Sequence, residues 1–253
     1  MMIIRIWSTL ILFGFLDLAR AAHSRRRVVV NGAAELVYDR SITTFDPSGR
    51  LLQVEYGMEA ARRGGSIAAA LTNDGNILVL VPSGASTQKV HRIDEHLWLF
   101  TAGLSGDARL PGSHLRMKNR EHRLNYGEPM TVEEAAEEAA SVQHEITRTA
   151  GASPLGCTAI VLGMDPTYKE TGTPRMFRTD PGGILEDCLY CCAGKDQAQG
   201  VVALEERYES IRSSSPVDAI RSFLATQLDQ SYDEEASYDL WLLTPQAGRR
   251  GKT

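Results

Sequence analysis

YDRSITTFDPSGRLLQVEYGMEAARRGGS, residues 38–66, is the stretch from which the rest of the chain can be read. Its first half brings phenol, carboxylate and hydroxyl groups to Pro47-Ser48-Gly49-Arg50, a turn sequence in which proline fixes φ and removes a donor. From Pro47 onward the spacing predicts a helix over 47–63, with Leu51, Leu52, Val54, Met58 and Ala61 as its apolar residues. Directly after it the period changes. Residues 66–72 and 76–81 read as two strands joined by Asn73-Asp74-Gly75, a hairpin turn with Asp-Gly chemistry.

Outward from there, further strands are predicted over 96–102, 157–164, 175–179, 188–193 and 238–243. Several are apolar at consecutive positions (TAIVLGM, DLWLLT), as expected where both faces of a sheet are covered. Helices come in pairs. One is expected over 107–124. The next opens with the capping box Thr131-Val132-Glu133-Glu134 and lines up Val132, Ala135, Ala136, Ala139, Val142 and Ile146, with Glu133, Glu137 and Glu138 solvated on the other side. A third is expected over 196–208. The fourth opens at Ser215-Pro216 and carries the stripe Val217, Ile220, Leu224, Leu228. Two helix pairs outside two sheets make an α+β fold, a four-layer αββα sandwich with an extra N-terminal helix.

Composition narrows the function. A length of 253 residues suits one large domain or two small ones, and a net charge of −5 leaves no basic domain for nucleic acid. His91, His96, His114, His122 and His144 have no nucleophile motif or metal-ligand spacing around them, and no Gly-rich phosphate loop is present, so no cofactor is expected. Arg116, Lys118, Arg120 and Arg123 read as an inter-subunit or solvated stripe on one helix. The cysteines are Cys157, Cys188, Cys191 and Cys192. If 188–193 is one strand, Cys188 and Cys191 point to opposite faces and cannot share an ion, so buried structural thiols are expected.

Residues 1–21 stand apart. A short basic start, an apolar run over 6–18 and Ala19-Arg20-Ala21 read as a secretory signal peptide or as a leader upstream of the true start. Either reading leaves 1–21 out of the mature chain, and the run is too short for a membrane span. Residues 22–37 are then a flexible arm, 38–245 the folded domain and 246–253 a flexible tail.

The 38–66 stretch closely resembles the N-terminal signature of proteasome core-particle alpha subunits. The similarity continues through Thr101-Ala102-Gly103-Leu104-Ser105-Gly106-Asp107, Gly172-Thr173-Pro174-Arg175, Thr179-Asp180-Pro181-Gly182-Gly183 and Gly194-Lys195-Asp196. That resemblance implies the N-terminal-nucleophile hydrolase fold and a non-catalytic subunit of a threonine-type endopeptidase complex. The partners it implies are sister alpha subunits in a seven-membered ring, beta subunits, and activators such as the tails of regulatory-particle ATPases. It implies no nucleic acid or membrane partner, and a role in ubiquitin-dependent protein breakdown in cytoplasm and nucleus.

Residue by residue, the resemblance assigns Tyr38, Asp39, Pro47 and Tyr56 to the cluster that organises the gate, and Lys89 to the pocket that pairs with an activator's C-terminal carboxylate. The helix over 47–63 would fill the cleft that is the active site in beta subunits. Three departures stand out. Ser153-Pro154-Leu155-Gly156 replaces an Arg-Pro-aromatic-Gly pattern; Pro111-Gly112 should shorten or kink its helix; and the loop after Val81 is short. The rival from another class is an active N-terminal nucleophile at Ser66, disfavoured because no aspartate or lysine is expected near the strand end Leu80-Val81-Pro82-Ser83-Gly84. A third possibility, an exported or organelle-directed relative, takes the leader at face value.

Overall fold

The computed structural model describes residues 2–6, 41–83, 86–165, 173–228 and 238–245, the first of these as backbone only. Two five-stranded antiparallel sheets form its centre. The first contains β1 (Met2–Ile6), β2 (Ile67–Leu71), β3 (Ile77–Pro82), β9 (Tyr190–Ala193) and β10 (Tyr238–Leu243), in the order β1-β10-β3-β2-β9. The second contains β4 (Val90–Arg92), β5 (Leu97–Gly103), β6 (Cys157–Asp165), β7 (Thr173–Thr179) and β8 (Leu185–Asp187), in chain order.

Strand alternation explains why the strand sequences are apolar at every position. Ile67, Ala69, Val79, Val81, Phe100 and Ile160 point between the sheets, where Trp241 meets Trp98 and Phe100, each with ring centroids 5.9 Å apart. Their neighbours Ala68, Ala70, Leu78 and Leu80 face α5 (Gln197–Ser213) and α6 (Pro216–Leu228), packing on Leu204, Tyr208 and Phe223. On the other sheet Leu97, Leu99, Val161 and Phe177 face α3 (Arg109–Tyr126) and α4 (Val132–Arg148), packing on Leu115, Val132 and Ala136. The four-layer αββα sandwich is therefore present, and both sheets are covered on both faces.

The local signals at the helix ends work as expected. Thr131 Oγ1 accepts from the Glu134 N–H at 3.2 Å while Glu134 Oε2 accepts from the Thr131 N–H at 2.8 Å, a complete capping box for α4. Pro111-Gly112 neither shortens nor breaks α3, contrary to expectation, and the helix runs 18 residues. Pro111 sits in the first turn, where its missing N–H would have had no helical partner. Gly112 lets the helix close on His91, whose ring lies 3.2 Å from the point a Cβ would occupy. The basic stripe on α3 is mostly used within the chain: Arg123 pairs with Asp94 at 2.6 Å, Lys118 with Glu121 at 3.6 Å, and Arg116 donates to the Arg92 carbonyl at 2.9 Å.

Other boundaries differ from the sequence reading. The N-terminal helix, α1 (Leu52–Arg62), begins five residues after Pro47. The strand expected over 188–193 starts at Tyr190, which leaves Cys188 in the link from β8. Cys188 and Cys191 consequently both pack against the inter-sheet core, not on opposite faces. The short elements α2 (Ser86–Lys89), β4 and β8 were not anticipated. Of the leader, only 2–6 are described, and they run antiparallel to β10 as an edge strand; the arm over 22–37 and the tail over 246–253 lie outside the described residues. Among the described residues no helix is long and apolar enough to cross a membrane.

Backbone contact holds α1 on the sandwich. Gly57 faces Pro154 and Leu155, and Met58 reaches Gly182. At the helix exit a Cβ on Gly64 would lie 2.2 Å from the Gly103 nitrogen. That contact leaves no room for a side chain. Gly64→Ala is therefore expected to lower stability by about 2–3 kcal/mol, seen as a fall in the urea midpoint at unchanged slope. Gly106→Ala, which meets no atom within 4 Å, is the control and should leave the midpoint unmoved.

Candidate functional site

Of the residues singled out from sequence, Pro47, Tyr56 and Lys89 are described. Ahead of α1, Asp46 organises the turn that contains Pro47. Its carboxylate accepts from the backbone N–H groups of Ser48 at 2.9 Å and Arg50 at 2.8 Å and pairs with the Arg50 guanidinium at 3.1 Å. The turn closes when Gly49 N–H donates to the Asp46 carbonyl at 2.9 Å. The Arg50 amide and the Ser48 side chain, with Arg50 itself, hold the Asp46 carboxyl down at about 2. Pro47 is exposed at the crest of this turn, and Tyr56 stands on the outer side of α1 with 49% of its surface exposed. Tyr38 and Asp39 lie outside the described residues.

Lys89 belongs to a different environment. It ends α2 and is only 8% exposed, so it is not a solvated lysine on a polar loop. Its Nζ lies 3.0 Å from the point a Cβ on Gly65 would occupy, and Pro82 closes the same spot from another side. Burial pushes its ammonium below the usual lysine range. A lysine does therefore stand at the start of β2, where the sequence reading expected none. The signal that could have located it is long-range: Lys89 follows the hairpin by few residues, but only the return of β4 beside β5 turns it back toward Gly65.

Gly65 presents no hydroxyl or thiol to Lys89. Ser66 Oγ donates to the Lys195 carbonyl. The preceding residue is fixed as well. Gly64 N–H donates to the Ala61 carbonyl at 3.2 Å, and the Gly64 carbonyl accepts from Lys195 N–H at 2.7 Å. Thus α1 runs without interruption into β2 across the place where an N-terminal nucleophile would have to begin. At the strand end, Ser83 Oγ donates to the buried Asp239 carboxylate at 2.8 Å. The arrangement is a buried ammonium beside a bare backbone: it can hold an anion, and Gly65 offers that anion no attacking group.

Ser153-Pro154-Leu155-Gly156 also has a definite role. Pro154 and Leu155 seat Gly57 of α1, and Gly156 N–H donates to the Asp107 carboxylate at 2.9 Å, which anchors the loop to the start of α3.

Comparison with known proteins agrees with this geometry. The family model for the proteasome subunit matches residues 61–239, and the model for the N-terminal signature of A-type proteasome subunits matches residues 38–60. The alpha type-7 proteasome subunit of Solanum lycopersicum is 33% identical, with 74% of each chain covered. The alpha proteasome subunit of Methanococcus maripaludis is 34% identical over 68% of this chain and 67% of its own. The alpha 1 proteasome subunit of Haloarcula marismortui is 34% identical over 78% and 77%. The signature ends at Ala60, inside α1, and the second match takes over at Ala61, so together they span the helix and the strands from β2 to β9 and reach the start of β10. A four-layer sandwich of the N-terminal-nucleophile hydrolase type, led by a helix that bears the alpha signature, identifies the chain as an alpha-type member of the proteasome subunit family.

Proposed function

We propose that this chain is a non-catalytic alpha-ring component of the proteasome core that gates the admission of substrates and docks activators in ubiquitin-dependent protein breakdown, working in cytoplasm and nucleus. Its partners are sister alpha subunits in a seven-membered ring, beta subunits and activator tails. The observation that carries this reading is the packing of the α1 exit on Gly103 beside a buried lysine, with Gly65 offering no hydroxyl to the Lys89 ammonium and the Ser66 hydroxyl donated to the Lys195 carbonyl. Tyr38, Asp39, Pro47 and Tyr56 organise the gate. Support for that assignment comes from Pro47 and Tyr56, which flank the start of α1 and are both exposed on the surface of the chain.

Lys89 is the docking residue for an activator's C-terminal carboxylate. An ammonium held away from water gains more from a carboxylate than one already solvated, because its desolvation has been met by folding. Binding of the carboxylate raises the amine's proton affinity again, so docking takes up protons as pH rises. Burial sets the free-state titration below 10.5, so tail affinity is present at neutral pH and fades on the alkaline side, before an ordinary lysine would titrate.

Three outcomes test the proposal. The purified full-length chain should enter heptameric rings with sister subunits by native mass spectrometry and cleave no fluorogenic peptide; peptidase activity abolished by Ser66→Ala would overturn it. In assembled rings Lys89→Ala should weaken binding of a carboxylate-ended tail peptide roughly tenfold to a hundredfold, the equivalent of one charge-assisted contact, while the same peptide with an amidated end should not distinguish variant from parent. Equal loss for both peptides would mean that Lys89 acts through packing alone.

A further inference from the structure

β10 has two edges, and they are filled differently. β3 occupies one, pairing along the whole strand from Tyr238 opposite Pro82 to Leu243 opposite Ile77. Residues 2–6 occupy the other, also antiparallel. Met2 stands opposite Leu242, Ile3 opposite Trp241, Ile4 opposite Leu240, Arg5 opposite Asp239 and Ile6 opposite Tyr238. β1 is the outermost strand of its sheet and has β10 as its single neighbour there. Far from the body of the domain in sequence, it is held as an added strand, through one backbone ladder.

β10 dictates what such a strand must carry. Leu240 packs with the α5 and α6 layer, and Trp241 lies between the sheets. Asp239, by contrast, places a carboxylate in this apolar strand. It is 2% exposed with β1 in place and accepts from Ser83 Oγ at 2.8 Å. A buried carboxylate favours a cation at the facing position, and opposite charges across a ladder attract. An incoming strand is therefore selected for apolar residues opposite Leu240 and Trp241 and for Lys or Arg opposite Asp239. Met2-Ile3-Ile4-Arg5-Ile6 has that pattern, and its isoleucines favour the extended state. From this register and the charge at Asp239, we propose that the outer edge of β10 is a docking site for an extended segment of a partner protein, apolar with one cation opposite Asp239, and that residues 2–6 are the chain's own occupant of that site.

The built-in strand makes docking conditional. Being part of the same chain, residues 2–6 compete with a partner at every protein concentration, so the intact chain takes the partner weakly. Loss of residues 1–21, the outcome expected from their sequence, opens the six-residue edge of β10 and leaves the backbone groups of its alternate residues without a ladder. The main-chain bonds then supply affinity for any extended segment, and Asp239 supplies the choice among them.

The test is hydrogen exchange on the full-length chain, read at residues 238–243, combined with peptide binding. Ile3→Pro and Ile4→Pro together remove two successive amides, one of which faces β10 in either phase of the ladder. The β10 amides that do not bond β3 should then exchange roughly tenfold faster or more than in the parent. A fluorescent peptide with the sequence of residues 1–8 should bind this variant roughly tenfold more tightly than it binds the parent, and should restore the lost protection. The same peptide carrying Arg5→Glu should bind roughly tenfold less tightly. Arg5→Glu in the full-length chain keeps every amide and should open the same β10 positions, which decides the matter even if the prolines disturb folding. Unchanged exchange in both variants, equal peptide affinity for variant and parent, equal affinity of the two peptides, or protection restored at β4, β8 or β9 in place of β10 would each overturn the proposal. All of these readouts use the isolated chain and are independent of ring assembly and activator docking.

Discussion

Gly64 and Gly103 meet backbone to backbone where α1 turns into β2, closer than any side chain on Gly64 would permit. Around this contact, Lys195 N–H reaches the Gly64 carbonyl and Ser66 Oγ reaches the Lys195 carbonyl, so β2, β5 and the link after β9 are tied at one point. The N-terminal helix can cross the end of the sandwich only because these backbones interlock. Moving α1 outward by the width of a methyl group would open the junction, uncover Lys89 and lift Gly57 from Pro154. The seat of the helix and the burial of the ammonium are thus consequences of one steric fit.

An N-terminal nucleophile requires a chain that starts at the strand, with a side chain facing the lysine and a free amine behind it. Here the chain arrives from a helix, presents glycine to the lysine, and donates the neighbouring hydroxyl to a carbonyl. The lysine persists without that partner. A buried ammonium is costly to keep unless something anionic can reach it, which is the physical reason for the proposed pairing of Lys89 with a carboxylate.

Much of the architecture was legible because its causes are local. Consecutive apolar residues in TAIVLGM and DLWLLT implied sheets covered on both faces, and alternation then distributed them between the Trp241 cluster and the helix layers. Thr131 and Glu134 fixed the start of α4 from four adjacent residues. Misreadings arose where local rules met distant partners. Pro111-Gly112 looked like a breaker, yet the proline stands in the first turn and the glycine makes room for His91, more than 15 residues earlier in the chain. Cys188 looked like part of β9, yet its amide is bonded to Met176 on β7, which ends the strand's alternation before it begins.

The sequence by itself determined the element types, the four layers and the family, because periodicity, caps, turns and the 38–66 signature are written within a few residues of each other. It also named Pro47, Tyr56 and Lys89 as residues to examine. Only the tertiary structure decided that Lys89 is dry and lies against Gly65, that Ser66 donates to Lys195, and that Cys188 and Cys191 share one face of the core. Each of these depends on strands far apart in the chain being paired in one register, and a side chain's neighbours across sheets follow from that pairing and not from its own flanking residues.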